Sequence, residues 1–389
     1  MKITLNGYYG FSNYGDDLFN LTSVLGAARW WPGHDVDILG PPVHGIDARF
    51  RVPTWFPNDL YTAPGLAGKL SRLAFLAGAL TTRDLLVYAG GSTLSHSSLL
   101  KKLQRVAAEH RWTKSAAVGV SVGPFSDAAD EAEAARFLRQ FSFVAVRDRQ
   151  SLAVLERMRV PYQPVLARDL VGALPLLLPG SFWVEPAPAA PPTLGVSFRF
   201  YESHSGGDVE RERRRHAALM EGICRHAKRR GTRVRIFCLN THPRWGDMPL
   251  CCELQDRLAA EGMLAEIITS EDHLLGCWHS LAACDAVLCV RMHAGITAYL
   301  NNVPFALVEY HEKCTDFLDD IGQPSSLRIT ANAADPDEVS ALIERLLRRD
   351  GHPTLSPETY ALEAAANFTA APWATPAARM PEASSVLAR

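Results

Sequence analysis

The sequence predicts an α/β protein of two domains, each a parallel sheet covered by helices, and three observations lead there. Short apolar runs of strand length alternate with longer amphipathic segments along almost the whole chain, the pattern of repeated βαβ units. A proline-rich stretch, VEPAPAAPP at 184–192, interrupts the alternation near its middle and reads as an extended, semi-rigid linker. The length, 389 residues, suits two domains at roughly 100 to 200 residues each. The expected organisation is a first domain over 1–183, the linker at 184–192 and a second domain over 193–355. A terminal helix over 356–369, of the kind that packs back on the first domain, and a poorly ordered Ala-, Pro- and Ser-rich tail over 370–389 complete it.

In the first half, residues 2–5 form a strand that runs into GYYGFSNYGDD, where Gly7, Gly10 and Gly15 let a backbone loop pass close to a ligand before a helix beginning near Leu18. The spacing is not the GxGxxG of dinucleotide folds, and a plain turn with Asp16 or Asp17 as helix cap would look the same. Strand 36–39, amphipathic helix 65–80 and strand 84–88 follow. The last ends in Gly90-Gly91-Ser92, a second glycine turn suited to cradling an oxyanion through backbone N–H groups. A basic helix over 98–110 reads as a solvated face. Strand 115–122, helix 128–140 and strand 143–147 come next, the strand ending in Arg147-Asp148 with Ser151 opening helix 152–157. Arg147 is either a cation presented at a carboxyl strand end or part of a structural network with Asp148. Residues 161–166 close the domain.

The second half restarts with strand 193–198, which leads into Arg199. Helix 206–230 has an Arg-rich start that reads as a solvated face. Strand 233–239, helix 249–261 and strand 264–268 follow, then Ser270-Glu271-Asp272 as an acidic cap for helix 273–283. The stretch AVLCVRMHAGITAYL at 286–300 is central. An apolar run, 286–290, is a buried strand, and 295–300 opens a helix. Arg291 and His293 therefore lie at a strand-to-helix turn, where open α/β sheets bind ligands and helix N–H groups favour anions. A permanent cation beside a group that exchanges protons near neutral pH suits an anionic substrate undergoing proton transfer. By itself Arg-x-His is equally compatible with an Arg paired to a structural carboxylate and a His capping a helix. Strand 304–309 is followed by Lys313, and amphipathic helices over 336–349 and 357–368 complete the pattern.

Composition narrows the function classes. With 47% hydrophobic and 21% charged residues the chain is an ordinary soluble globular protein, and a net charge of -2 excludes general affinity for nucleic acid. The 8 cysteines carry no CxxC or zinc spacing and read as small buried hydrophobes in a reducing compartment, without disulfides or a structural metal. No cleavable signal pattern follows Met1, so export is not indicated. The apolar regions at 66–80 and 165–184 are interrupted by Lys69, Arg72, Arg168, Asp169 and prolines, and neither reads as a membrane span. The expected location is the cytoplasm, up to the inner face of the membrane.

GYYGFSNYGDD from Gly7, GGSTL from Gly90, GVSVGP from Gly119, VRDRQS from Val146, GVSFR from Gly195, RMHAG from Arg291 and YHEKCTDFL from Tyr310 together resemble the polysaccharide pyruvyl transferase family, over roughly residues 3–325. The resemblance implies two Rossmann-like domains facing across a cleft, a GT-B-like fold. It implies transfer of pyruvate from phosphoenolpyruvate to two hydroxyls of a sugar as a cyclic ketal, with phosphoenolpyruvate as co-substrate and no nucleotide or obligatory metal. The acceptor is a saccharide, free, polymeric or lipid-linked. The resemblance places the catalytic histidine at His293 and donor-binding cations at Arg147 and Lys313, with Arg291 and Arg199 at further basic motif positions. The loops with Gly10, Asn13, Asp16 and Asp17, and with Gly90, Gly91 and Ser92, fall on the acceptor side. His311-Glu312 before Lys313, and Asn13-Tyr14 in the first loop, depart from the common pattern and bear on acceptor identity. Two rivals stay open at this point: a nucleotide-sugar glycosyltransferase of the same architecture, and a non-catalytic anion-binding relative. Oligomeric state is not readable from these residues.

Overall fold

The computed structural model describes residues 1–92, 94, 113–178, 191–271 and 273–375. The basic helix expected over 98–110, Thr93 of the second glycine turn, linker residues 184–190, Asp272 of the acidic cap and the tail from 376 lie outside the described residues. The chain divides into two compact units. The first comprises Met1–Gly10, Leu18–Leu177 and Ala361–Arg389, the second Phe11–Asp17 and Leu178–Tyr360.

In the first unit the strands are β1 (Lys2–Asn6), β2 (Asp35–Leu39), β3 (Leu85–Gly91), β4 (Lys114–Val120), β5 (Phe141–Val146) and β6 (Val165–Leu166). They form one parallel sheet in the order β2-β1-β3-β4-β5-β6. The inner strands read as continuous apolar runs because helices cover both faces, and β3 and β4 are buried along nearly their whole length. Strand order reverses between β1 and β3, so both glycine turns leave the sheet at its topological switch point. Gly90 and Gly91 take φ of 82° and 78°, in the left-handed region that favours glycine. A Cβ on Gly90 would also lie 2.7 Å from two carbons of the Phe19 ring. The last described segment belongs to this unit. Phe368 stacks on Trp30 at 5.3 Å, and its carbonyl accepts from Trp31 Nε1 at 3.0 Å. Full burial of the Phe368 ring contributes about 2 kcal/mol or more to holding the terminus.

The second unit contains β7 (Thr193–Ser197), β8 (Arg233–Cys238), β9 (Ala265–Thr269), β10 (Ala286–Cys289), β11 (Phe305–Glu309) and β12 (Ile329–Thr330). Their order, β12-β11-β10-β7-β8-β9, is the doubly wound arrangement with its switch point between β7 and β10. Cys289 pairs with Ser197, and Val290 N–H donates to the Ser197 carbonyl at 2.9 Å. Arg199 and Arg291 thus leave the sheet at the same level, each two residues past an aligned pair. Both units are Rossmann-like, as the alternation predicts.

Local expectations differ from the structure in five places, the first being the helix expected near Leu18, which begins at Tyr14. The helix expected from 295 begins at Met292, which places His293 in its first turn and Arg291 at its N-cap position. A helix over Glu312–Asp320 was not foreseen; it carries Lys313 in its first turn. Helix 274–282 is capped by His273, whose Nδ1 accepts from Gly276 N–H at 2.7 Å, rather than by Ser270. The Arg-rich start of helix Val209–Arg230 is not wholly a solvated face, because Arg215 and Glu212 are buried. No helix of the described residues is long and apolar enough to cross a membrane. Seven of the cysteines are buried and free, and Cys252 is exposed.

Candidate active site

The site grows from the carboxyl edge of four adjacent strands, β11-β10-β7-β8. Arg199 follows β7, Asp247 lies in the loop after β8, Arg291 follows β10, and Lys313 stands one short turn past β11. Parallel strands send all these connections to one edge, which is why residues so far apart in the chain gather there.

Arg291 is held by two hydrogen bonds, Nε to Asp247 Oδ2 and a terminal nitrogen to Oδ1, both 2.7 Å. Asp247 is fully buried and Arg291 nearly so. Burial raises the Asp247 carboxyl, and the Arg291 charge and hydrogen bonds work against that rise. Of the two readings open at the sequence level, pairing of Arg291 with a structural carboxylate is what the structure shows. Arg199 donates to the Tyr310 hydroxyl at 2.9 Å and lies over the rings of Tyr201 and Tyr310 at 5.3 and 5.4 Å. Burial opposes its charge, but the Tyr310 oxygen and Asp247 outweigh burial and its pKa is raised. Lys313 Nζ stands 6.0 Å from the Tyr310 ring centre, and its backbone N–H donates to His311 Nδ1 at 3.2 Å.

The turn carrying Arg199 and Tyr201 is fixed from beneath by a buried acidic and basic cluster. Glu212 accepts from the backbone N–H groups of Tyr201, Glu202 and Ser203 at 2.5, 3.0 and 3.1 Å. Arg215 forks onto Glu202 with two contacts of 2.8 Å and reaches the Ala331 carbonyl at 3.1 Å. Burial by itself would raise Glu202, but the hydrogen bonds from Arg215 and with Glu212 pull it down to about 2. These residues were missed in the sequence; an acidic residue one turn before an Arg on an otherwise solvated helix is too common to signal a buried cluster.

The loop Phe11–Asp17, expected on the first domain's acceptor side, folds with the second unit. Thr241 N–H donates to the Ser12 carbonyl at 3.1 Å, Tyr14 N–H to the Leu239 carbonyl at 2.9 Å, and the Tyr14 hydroxyl meets Thr297 Oγ1 at 3.1 Å. Gly15 lies flat against the imidazole: a Cβ there would stand 2.6 Å from both Cγ and Cε1 of His293. Asp16 Oδ2 accepts from Asn13 Nδ2 at 2.6 Å. Burial lifts the Asp16 carboxyl to about 6 against the opposing charges of Lys313, Arg291 and Arg199. Three cations from three strand ends therefore bear on one carboxylate, next to the glycine that touches His293.

The profile of polysaccharide pyruvyl transferases matches residues 13–312, which include Asn13, Asp16, Arg199, Asp247, Arg291 and His293 and end one position before Lys313. The chain belongs to the polysaccharide pyruvyl transferase family. It is thus a transferase, and a saccharide acceptor follows from the family. No protein of curated function matches it in sequence. The fold is similar to that of several solved structures at low identity. The Staphylococcus aureus MnaA–UDP co-structure has a TM-score of 0.60 at 9% identity, covering 94% of this chain and 92% of that one. UDP-GlcNAc 2-epimerase from Neisseria meningitidis, bound to UDP-GlcNAc, has 0.55 at 11%, covering 94% of each. Anabaena Alr3699/HepE, in complex with UDP and glucose, has 0.54 at 11%, covering 95% and 93%. At such identity these show the fold alone, the GT-B-like pair of Rossmann-like domains.

Of the positions expected to act in this pyruvyl transferase, His293, Arg199, Arg291, Lys313, Asn13 and Asp16 come together in the second unit. Arg147 lies in the first, nearly buried, where its Nε donates to Ser121 Oγ at 2.7 Å and a terminal nitrogen to Asp169 Oδ2 at 3.2 Å. Its other terminal nitrogen is 3.4 Å from Ser92 Oγ. Asp148, named as a possible network partner, pairs with the guanidinium at 3.9 Å and is bridged to it by Ser121, whose Oγ donates to Asp148 at 2.6 Å; it also caps the next helix through Ser151 N–H. Gly10, Gly90 and Gly91 also fall in the first unit. Among the described residues no group of three His, Cys, Asp or Glu converges as metal ligands do.

Proposed function

We propose that this enzyme moves the pyruvyl group of phosphoenolpyruvate onto two hydroxyls of a saccharide, in a glycan or glycolipid precursor, forming a cyclic ketal and releasing phosphate. The observation that carries the reading is the gathering of Arg199, Arg291 and Lys313 just past the ends of the adjacent strands β7, β10 and β11, beside the Gly15–His293 contact. Phosphoenolpyruvate has a carboxylate and a phosphate, so its site needs more positive charge than the local carboxylates cancel. Here three permanent cations face Asp16 and Asp247. Lys313 supplies a compact charge for phosphate, and Arg199, lying against the paired rings of Tyr201 and Tyr310, presents a planar donor to a carboxylate. Arg291, forked onto Asp247, adds field rather than a free donor pair. Arg147 stands in this proposal as a donor ligand on the family resemblance.

Ketal formation requires C3 of the enol to gain a proton while a sugar hydroxyl attacks C2; phosphate then leaves and the second hydroxyl closes the ring. His293 gives the proton to C3 and is returned to its starting state by the proton of the second hydroxyl, work that typically contributes about 10² to 10⁴ in rate. The test is a phosphate-release screen with phosphoenolpyruvate against a panel of glycosides, with melting temperature followed on addition of phosphoenolpyruvate, UDP or GDP. Phosphate release and stabilisation by phosphoenolpyruvate alone are expected. Stabilisation by a nucleotide without phosphate release would refute the reading. His293→Ala is expected to abolish turnover while leaving donor binding within a few-fold, and unchanged turnover would remove His293 from its role.

A further inference from the structure

Resting on that reading, we propose that Asp16 is a second catalytic group: it takes the proton of the first attacking hydroxyl and hands it to the departing phosphate. The reaction moves two hydroxyl protons, and one imidazole that starts protonated cannot receive the first of them while giving its own to C3. A second acceptor is required within reach of the same carbon. Asp247 is unsuited, because both its oxygens are clasped by Arg291 at 2.7 Å. Glu202 and Glu212 are fully buried beneath the Arg199 turn and already engaged by Arg215 and by backbone N–H groups. Asp16 differs. It is mostly buried with part of its surface exposed, its side chain accepts one hydrogen bond, from Asn13 on Oδ2, and none of the ion pairs among the described residues involves it. The charges of Lys313, Arg291 and Arg199 all favour its ionised form. It also adjoins Gly15, the residue in contact with the imidazole.

The atoms balance with these two groups. In the first step the His293 proton goes to C3, the hydroxyl oxygen bonds to C2, and its proton passes to the Asp16 carboxylate. In the second the C2–O bond to phosphorus breaks, the electron pair leaves with the phosphate, and Asp16 returns its proton to that oxygen. The second hydroxyl then bonds to C2 and its proton goes to neutral His293. Both side chains end as they began. A carboxyl already raised to about 6 in the free protein is poised for this exchange, and a bound donor anion pushes it further up.

Asp16→Asn tests the role. Expected are a fall in kcat of about 10²- to 10⁴-fold, loss of the acid limb of the kcat–pH profile, and a Kd for phosphoenolpyruvate that is unchanged or tighter, since a negative charge has left the cation cluster. Asp16→Ala, assayed with sodium formate as a small external base, is expected to regain part of the lost rate, and it decides the matter should the Asn variant fail to fold. An Asp16→Asn enzyme within about threefold of wild-type kcat, or one that is slow but keeps its acid limb, overturns the assignment. So does a loss of phosphoenolpyruvate binding in that variant, or no rescue by formate. Wild-type protein that releases no phosphate from phosphoenolpyruvate with any glycoside would instead end the underlying reading, and Asp16's role with it.

Discussion

Replacing Gly15 by Ala sets two forces against each other. The residue lies in the first turn of helix Tyr14–Trp30, where propensity alone makes alanine better than glycine by up to about 1 kcal/mol. The added methyl, however, would stand 2.6 Å from two ring atoms of His293, and closer still to Nδ1, well inside ordinary van der Waals contact. The imidazole is the mobile partner and must swing away by roughly an ångström. Overpacking of this kind costs about 1–3 kcal/mol, which exceeds the propensity gain. The expected result is a melting temperature unchanged or lowered by a few degrees, at roughly 2–4 °C per kcal/mol for a unit of this size. Turnover should fall by about 10²-fold through misplacement of the proton-transferring ring, with phosphoenolpyruvate affinity within a few-fold. Calorimetric melting and phosphate release measure both. A variant that melts higher than wild type and turns over at the wild-type rate would refute the contact and the placement of His293 beside it.

Asp247→Ala strips a nearly buried guanidinium of its counter-charge, and a loss of about 3–5 kcal/mol in urea unfolding of the second unit is expected; a loss under about 1 kcal/mol would mean that Arg291 finds another partner at no cost. For Glu202, the carboxyl is lowered on folding from 4.5 to about 2, so the stabilisation it supplies is fully present above about pH 4.5 and is lost as pH falls through 2. Acid unfolding between those limits should therefore be shallower in Glu202→Gln than in wild type, and parallel curves would show that the carboxylate is not held by Arg215.

The buried cluster of Glu202, Glu212 and Arg215 shows why support for a site is as informative as the groups that face substrate. Glu212 spends its lone pairs on the three consecutive N–H groups that begin a four-residue helix, Glu202–Ser205, too short to hold its own shape. With that turn fixed, Arg199 is held against Tyr201 and Tyr310 and hydrogen-bonded to the Tyr310 hydroxyl, and an arginine held so loses less freedom when it binds an anion.

The sequence by itself determined the two parallel sheets, because buried strands such as Val287-Leu288-Cys289 and the periodic helices between them write their environment into adjacent residues. It also determined that Arg199, Arg291 and Lys313 sit just past strand ends, since a strand's end is a local property. Only the tertiary structure decided what those cations meet. Arg291 is claimed by Asp247, 44 residues away along the chain, and no local pattern marks that aspartate out. The glycine loop reads as a turn, but its packing with the second unit, Gly15 against His293 and Asp16 under the influence of three charges, depends on hydrogen bonds to the Leu239 carbonyl and from Thr241 N–H that form only when the chain closes on itself. Periodicity records which face of an element is buried; it carries no information about which distant side chain completes a charge pair, and the chemistry of this enzyme lies in those pairs.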